Sequence, residues 1–204
     1  MPSPELILDG LSKVSNNYSI LAVIHHVWIV IFLISLLLGL RLQNKIVSMI
    51  LLMPMLSVSA LAFLNSNPFN GIVFLFSSVL LSIFALSEKS EKIEFNSLMN
   101  TIAGTLFLLF GLVYPHFING GDWYEYLYKS PIGLIPCPSL LVLTGTTLLY
   151  KGFLNRKWMF TLSALGLFYG IFGVLRLDVK IDVVLIVSSI WLLFYGFIGK
   201  VQDH

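Results

Sequence analysis

The chain has 204 residues, of which 57% are apolar and 11% charged, with a net charge of +2 and a mean hydropathy of +0.92. Soluble domains carry about 25% charged and 45–50% apolar residues, so this composition points to a lipid bilayer as the chain's first partner. The small, scattered positive charge excludes a nucleic-acid footprint. A single cysteine excludes both an internal disulfide and the paired-cysteine zinc motifs.

Residues 1–18 (MPSPELILDGLSKVSNNY) set one lysine against Glu5 and Asp9, with no basic leader and no small-residue cleavage site. This is not the pattern of a signal peptide, and the first apolar segment is expected to remain as an anchor. Leu6, Ile7, Leu8, Leu11 and Val14 recur at partial helical spacing. Ser3 is a capping residue, and Pro4 suits the first helical position. The spacing predicts a short amphipathic helix on the outer interface; a disordered tail is the alternative. The division expected is an interfacial segment, 1–18, and a single transmembrane bundle, 19–204.

A membrane span needs roughly 20 apolar residues. Segments 19–40, 46–64, 69–87, 98–117, 135–153, 158–175 and 181–199 meet or approach that length, predicting an all-α polytopic bundle of seven transmembrane helices. The connections read as loops. LNSNPFN (64–70) has turn chemistry, EKSEKIEFNS (88–97) is charged, and NGGDWYEYLYKSP (119–131) combines glycine with aromatics. NRK (155–157) and RLDVKID (176–182) are short and charged. Lys and Arg set orientation. With the N-terminus outside, Arg41, Lys45, Lys89, Lys92, Lys151, Arg156, Lys157 and Lys200 lie inside, and Lys13, Lys129, Arg176 and Lys180 lie outside. The excess predicts N-out, C-in. Arg176 and Lys180 fall on the unfavoured side, where Asp178 and Asp182 are expected to pair with them. Gly166, Gly170 and Gly173 form a small-residue stripe for close helix packing, and Gly145 with its threonine neighbours resembles another.

Most unusual polar groups collect toward the outer side. His25 and His26 lie early in the first span, and Tyr114-Pro115-His116 ends the fourth. Asp122 and Glu125 sit in the aromatic loop, and Pro136-Cys137-Pro138 opens the fifth span. Pro138 has no N–H and fits a first helical turn, while Pro136 restricts the residue before it. A helix is therefore expected from near 138 to about 153, with 131–137 descending in non-helical form. Such backbone survives at membrane depth only when buried in protein or lining a wet cavity. The alternative is a helix that stops at the interface. His25, His26, Tyr114, His116, Asp122, Glu125, Pro136, Cys137 and Pro138 are the candidate lining of an outward-facing cavity. His25 and His26 point about 100° apart, and a neutral histidine bonded to Ser or Thr is the plain structural alternative. His25, Met53, Met55 and Cys137 are the metal candidates, on soft-ligand grounds, although Met53 and Met55 diverge on a straight helix. Haem would require His25 or His26 with His116. No cofactor is expected.

Several absences narrow the function. The seventh span has no central lysine for a retinal Schiff base. The sequence has no Walker motif, dinucleotide fingerprint, H-E-x-x-H or serine elbow. No span reads as carrying a buried Asp or Glu, so a carboxylate relay within the membrane is not expected.

Gly133-x-x-Pro136-Cys137-Pro138 and the Leu/Thr run after it resemble a family of small bacterial polytopic membrane proteins catalogued only as a domain of unknown function. The likeness extends to Ser3-Pro4-Glu5, the Asn65/Asn67-Pro68 turn and the aromatic outer loop. In that family the PCP element is usually followed by threonines; Ser139 and Leu140 stand there in this chain. The resemblance implies the multi-pass architecture and a bacterial inner-membrane home, and no activity. The first functional expectation is a transporter or channel-like protein for a small solute or ion. A metal- or haem-handling redox subunit, an accessory protein binding a partner through loop 118–131, and an intramembrane enzyme with a histidine-activated Cys137 remain open.

Overall fold

The computed structural model describes residues 3–40, 42–118, 122–151 and 156–198; Arg41, Gly120, Gly121 and Lys200 lie outside them. The fold is all-α. Its helices are α1 (Pro4–Asn17), α2 (Ser19–Leu37), α3 (Asn44–Leu64), α4 (Pro68–Ser87) and α5 (Leu98–Val113), then α6 (Tyr126–Lys129), α7 (Pro136–Leu149), α8 (Arg156–Arg176) and α9 (Val183–Ile198). Five helical segments, Ser19–Leu37, Asn44–Leu64, Pro68–Ser87, Arg156–Arg176 and Lys180–Phe197, are long and apolar enough to cross a membrane. The two other expected spans contain α5 and α7, which are shorter, at 16 and 14 residues.

The core is built from the helix pairs α3/α4, α5/α7 and α8/α9, with α7 also touching α3, α8 and α9. Every residue of α7 except Cys137 is buried. A helix enclosed by protein has its polar groups satisfied by neighbours, so it need not match a bilayer's thickness. At 1.5 Å per residue α7 is about 21 Å long. Its tight seat beside α5 comes from glycine: a Cβ on Gly104 would lie 2.6 Å from the Gly145 carbonyl oxygen, and one on Gly145 2.5 Å from the Leu108 nitrogen. The expected Gly166-Gly170-Gly173 stripe faces α9 across Ser189, Ile186 and Asp182. The periphery reverses a soluble pattern. Ile20, Ile24, Val27, Ile31 and Ile34 form an exposed apolar row on α2, and Val183, Val187, Ile190 and Phe194 form another on α9.

The helix after the PCP element differs from expectation at both ends. It begins at Pro136, two residues early, because both prolines fall in a first turn where missing N–H groups break no helical bond. It ends at Leu149 because Tyr150 turns extended, and strand β2 (Tyr150–Lys151) pairs antiparallel with β1 (Glu94–Phe95). Asn96 ties this junction by donating to the Leu148 carbonyl and accepting from the Tyr195 hydroxyl.

At the other end α1 forms as expected, with the Leu6 N–H donating to Ser3 Oγ and Pro4 in the first turn. Ile7, Leu8, Leu11 and Val14 pack on the core. The first-turn backbone bond, the Ser3 hydroxyl and the Arg176 charge hold the Glu5 carboxyl below its ordinary value. Asn16 Nδ2 donates to the Phe117 carbonyl at 3.0 Å. The helix is thus anchored at its far end to the loop that follows α5.

Candidate functional site

The segment leading into α7 explains how a polar site is built at this end. Residues 130–136 are all buried. Ser130 Oγ donates to the Gly111 carbonyl, and the N–H groups of Leu134 and Ile135 both donate to the Pro131 carbonyl. Ser139 Oγ accepts from the Gly133 N–H at 2.8 Å and donates to the Ile135 carbonyl at 2.7 Å. The backbone of 130–135 is irregular and enclosed by protein, while Pro136 and Cys137, expected to be non-helical, already belong to α7. Gly133 has φ +73°, and a Cβ there would lie 2.7 Å from the His25 ring. Only glycine gives both the left-handed turn and room for the imidazole.

The centre of the site is a carboxylate that the sequence reading placed elsewhere. Asp182 was expected to neutralise Arg176 or Lys180 in a loop. Instead it is 2% exposed and belongs to none of the ion pairs among the described residues. The Tyr114 hydroxyl donates to its Oδ1 at 2.5 Å, and the Cys137 thiol donates to its Oδ2 at 3.3 Å. The carboxylate occupies a notch at Gly173, where a Cβ would overlap Oδ2. The expectation that no span carries a buried acid is corrected with it, because the apolar segment Lys180–Phe197 contains Asp182. Four elements converge here: the end of α5, the start of α7, the last turns of α8 and the turn before α9. A signal existed in the sequence. Asp182 immediately precedes the apolar helix α9, nine residues after the glycine that makes room for it.

The remaining candidates divide. Pro136 and Pro138 open α7 and shape the Cys137 position without offering a polar group. His25 Nδ1 donates to the Leu21 carbonyl at 2.9 Å while its ring covers Gly133. His26 is 7% exposed, and its Nδ1 is buried without a partner, so the Ser or Thr partner considered for it is not found among the described residues. His26 is thus buried in the bundle, and His25 is partly buried with its ring against Gly133. His116 is partly buried against the Phe117 ring, centroids 4.2 Å apart, and Phe117 stacks on Tyr114. Asp122 is exposed. Glu125 bonds Lys129 at 3.0 Å. A second network on the same end runs from the Tyr169 hydroxyl to Asn70 Oδ1 at 2.9 Å.

A pocket of about 160 Å³ opens at this end, lined by Ser15, Asn16, Ser19, Ile118, Glu125 and Lys129. Of the predicted cavity set only Glu125 lines it. Met53 is 55% exposed and Met55 fully buried, so they diverge, as their spacing requires. Among the described residues, no three His, Cys, Asp or Glu side chains are placed to hold one metal ion. Cys137 pairs with Asp182 and not with a histidine.

No protein-family model, curated protein or solved structure matches the chain. The likeness drawn from the PCP element therefore stands on those residues alone, and the chemistry is read from the geometry.

Proposed function

We propose that the protein is a multi-pass membrane protein that moves a small solute or ion, with a proton exchanged at Asp182 during the cycle. In this reading seven helices cross a bacterial inner membrane with the N-terminus outside. Asp182 then lies toward the outer end, beside Tyr114. The observation that carries the reading is the buried carboxyl held by Tyr114 and Cys137 in the Gly173 notch. Ionisable groups inside apolar bundles are costly to place and usually serve ion or proton paths. A short helix with an irregular lead-in, as at 131–139, is also how many carriers build a site.

The local chemistry fits an exchange. Tyr114 and Cys137 both donate to Asp182, so each carboxyl oxygen has one partner. A proton taken up on a free lone pair neutralises the carboxylate and weakens both charge-assisted bonds, so that a donor can be released. The freed hydroxyl or thiol then bonds a solute or a water instead. Proton arrival and solute contact are coupled through two hydrogen bonds, and no large motion is needed at the site itself. Asn16 on α1 donates to the Phe117 carbonyl and Phe117 stacks on Tyr114, so α1 is tied to the residues beside the site.

The test is flux in proteoliposomes carrying a pH-sensitive dye inside. Wild type is expected to dissipate an imposed proton gradient when the transported solute is supplied from a mixed pool of ions and small metabolites. Asp182→Asn should lower that rate at least about tenfold, as removal of an essential exchanging group does. Wild-type flux equal to that of empty liposomes with every pool would overturn the proposal.

A further inference from the structure

We infer that the pocket between α1 and α6 is a binding site for a phosphoethanolamine group, presented by a membrane lipid. The inference rests on the bilayer placement of the bundle and is independent of the exchange proposed at Asp182.

The pocket has the charges of such a group in complementary form. Lys129 and Glu125 sit on one wall, 3.0 Å apart, and each is about a quarter to a third exposed, so both still face the opening. Their mutual bond keeps the ammonium of Lys129 charged, raising it above its ordinary value. A zwitterion laid along this pair puts its phosphate against Lys129 and its ammonium against Glu125, completing an alternating arrangement of four charges. The facing wall, Ser15, Asn16 and Ser19, comes from α1 and the start of α2. Ser15 is 5% exposed, and its hydroxyl has no hydrogen-bond partner among the described residues. An unpaired buried hydroxyl is expensive, and a polar ligand atom at this wall would supply the missing partner. A primary ammonium fits better than choline, because its N–H groups can use both the Glu125 carboxylate and the α1 oxygens.

Two features select a lipid as the source. Both elements that form the pocket carry the marks of an interface. Leu6 on α1 is 66% exposed, and Trp123, Tyr124 and Tyr128 beside α6 are exposed. Exposed aromatics of this kind sit at headgroup depth, and an amphipathic helix lies in the same plane. The mouth of the pocket is therefore at the level where headgroups are concentrated. The volume, about 160 Å³, accepts a headgroup and leaves the acyl chains outside along α2.

The experiment is thermal unfolding of the purified protein in detergent, followed by tryptophan fluorescence, with short-chain lipids of equal chain length. Phosphatidylethanolamine at about 100 times its dissociation constant should raise the midpoint by about 5 °C or more. Phosphatidylcholine should give less than about half that shift and phosphatidylglycerol almost none, because neither offers an N–H group to Glu125. The double variant E125Q/K129Q should lose the response, while Asp182→Asn keeps it. Free glycerophosphoethanolamine separates the sources. A weaker shift than the lipid's assigns the site to the membrane; an equal shift overturns the lipid assignment. Equal shifts with all three lipids, or a shift that survives E125Q/K129Q, overturn the site. If the double variant fails to fold, native mass spectrometry of wild type in an equimolar lipid mixture decides. Ethanolamine lipid retained about threefold or more over glycerol lipid supports the inference, and equal retention overturns it.

Discussion

Asp182 shows how much a single residue's meaning depends on what packs against it. In the sequence it stands among Arg176, Asp178 and Lys180 and reads as a solvated loop charge. In the fold the turn Lys180–Asp182 brings it under α8, where Gly173 leaves the space for its carboxyl. Tyr114 and Cys137 arrive from segments 68 and 45 residues away, and no local pattern could announce that meeting. Tyr114 and Cys137 themselves were legible as site residues, one as the polar end of an apolar helix and the other as the centre of the PCP element. Removing one donor from a buried carboxylate costs about 1.5–3 kcal/mol. Tyr114→Phe should therefore lower the unfolding midpoint in detergent by several degrees, and an unchanged midpoint would show that the bond contributes nothing. Gly133→Ala meets two penalties, a left-handed φ and the His25 ring. Its expected loss is about 1–3 kcal/mol, measured by the same melt. His25→Ala in the Gly133→Ala background should recover the steric part only.

Among the elements, α7 departs most from what its sequence implies. Hydropathy finds an apolar segment at 135–153 and reads a membrane span. Burial makes the same residues a central helix of 14 residues enclosed by its neighbours, which need not match the full thickness of a bilayer to cross it. The period of the apolar residues cannot separate these cases, because a helix that is apolar all round is buried either in lipid or in protein. The close α5/α7 crossing gives a direct check. At Gly104 the added Cβ of Gly104→Ala would meet backbone atoms of Gly145 and Leu149, which cannot swing aside as a side chain can. The expected loss is about 1–3 kcal/mol, whereas Gly10→Ala on α1, where nothing lies within 4 Å, should be neutral or slightly stabilising. Equal effects at the two positions would contradict the crossing. The start of α1 was legible from Ser3 and Pro4 because capping is local. Its tie to Phe117 through Asn16 was not, since that bond spans 101 residues.

For the whole molecule, the apolar rows on α2 and α9 and the enclosed α7 describe a bundle that presents apolar side chains outward as well as inward. The threonines and serines of α7 and the paired glycines lie inside, and the isoleucines of α2 lie outside. That arrangement suits lipid, where association relies on close packing and hydrogen bonds between helices. Helix positions were legible from composition because apolar runs of this length are rare in other settings; of the seven expected segments, five hold helices long and apolar enough to cross a membrane, and α5 and α7 are shorter. Orientation follows only from the distribution of Lys and Arg. In a Cys137→Ser background, Lys13→Cys and Tyr128→Cys should react with a membrane-impermeant maleimide on intact cells. Lys89→Cys and Glu94→Cys should react only after permeabilisation, and the reverse pattern would contradict the N-out topology.

The central claim is that Asp182 exchanges a proton, and infrared difference spectroscopy of the reconstituted protein reads this most directly. Stepping the pH across about 4 to 9, the range in which a perturbed carboxyl titrates, should make one protonated-carboxyl C=O band rise and fall. Tyr114→Phe should shift that band, and Asp182→Asn should remove it. A spectrum in which no band lost in Asp182→Asn responds to pH anywhere in that range would contradict the account.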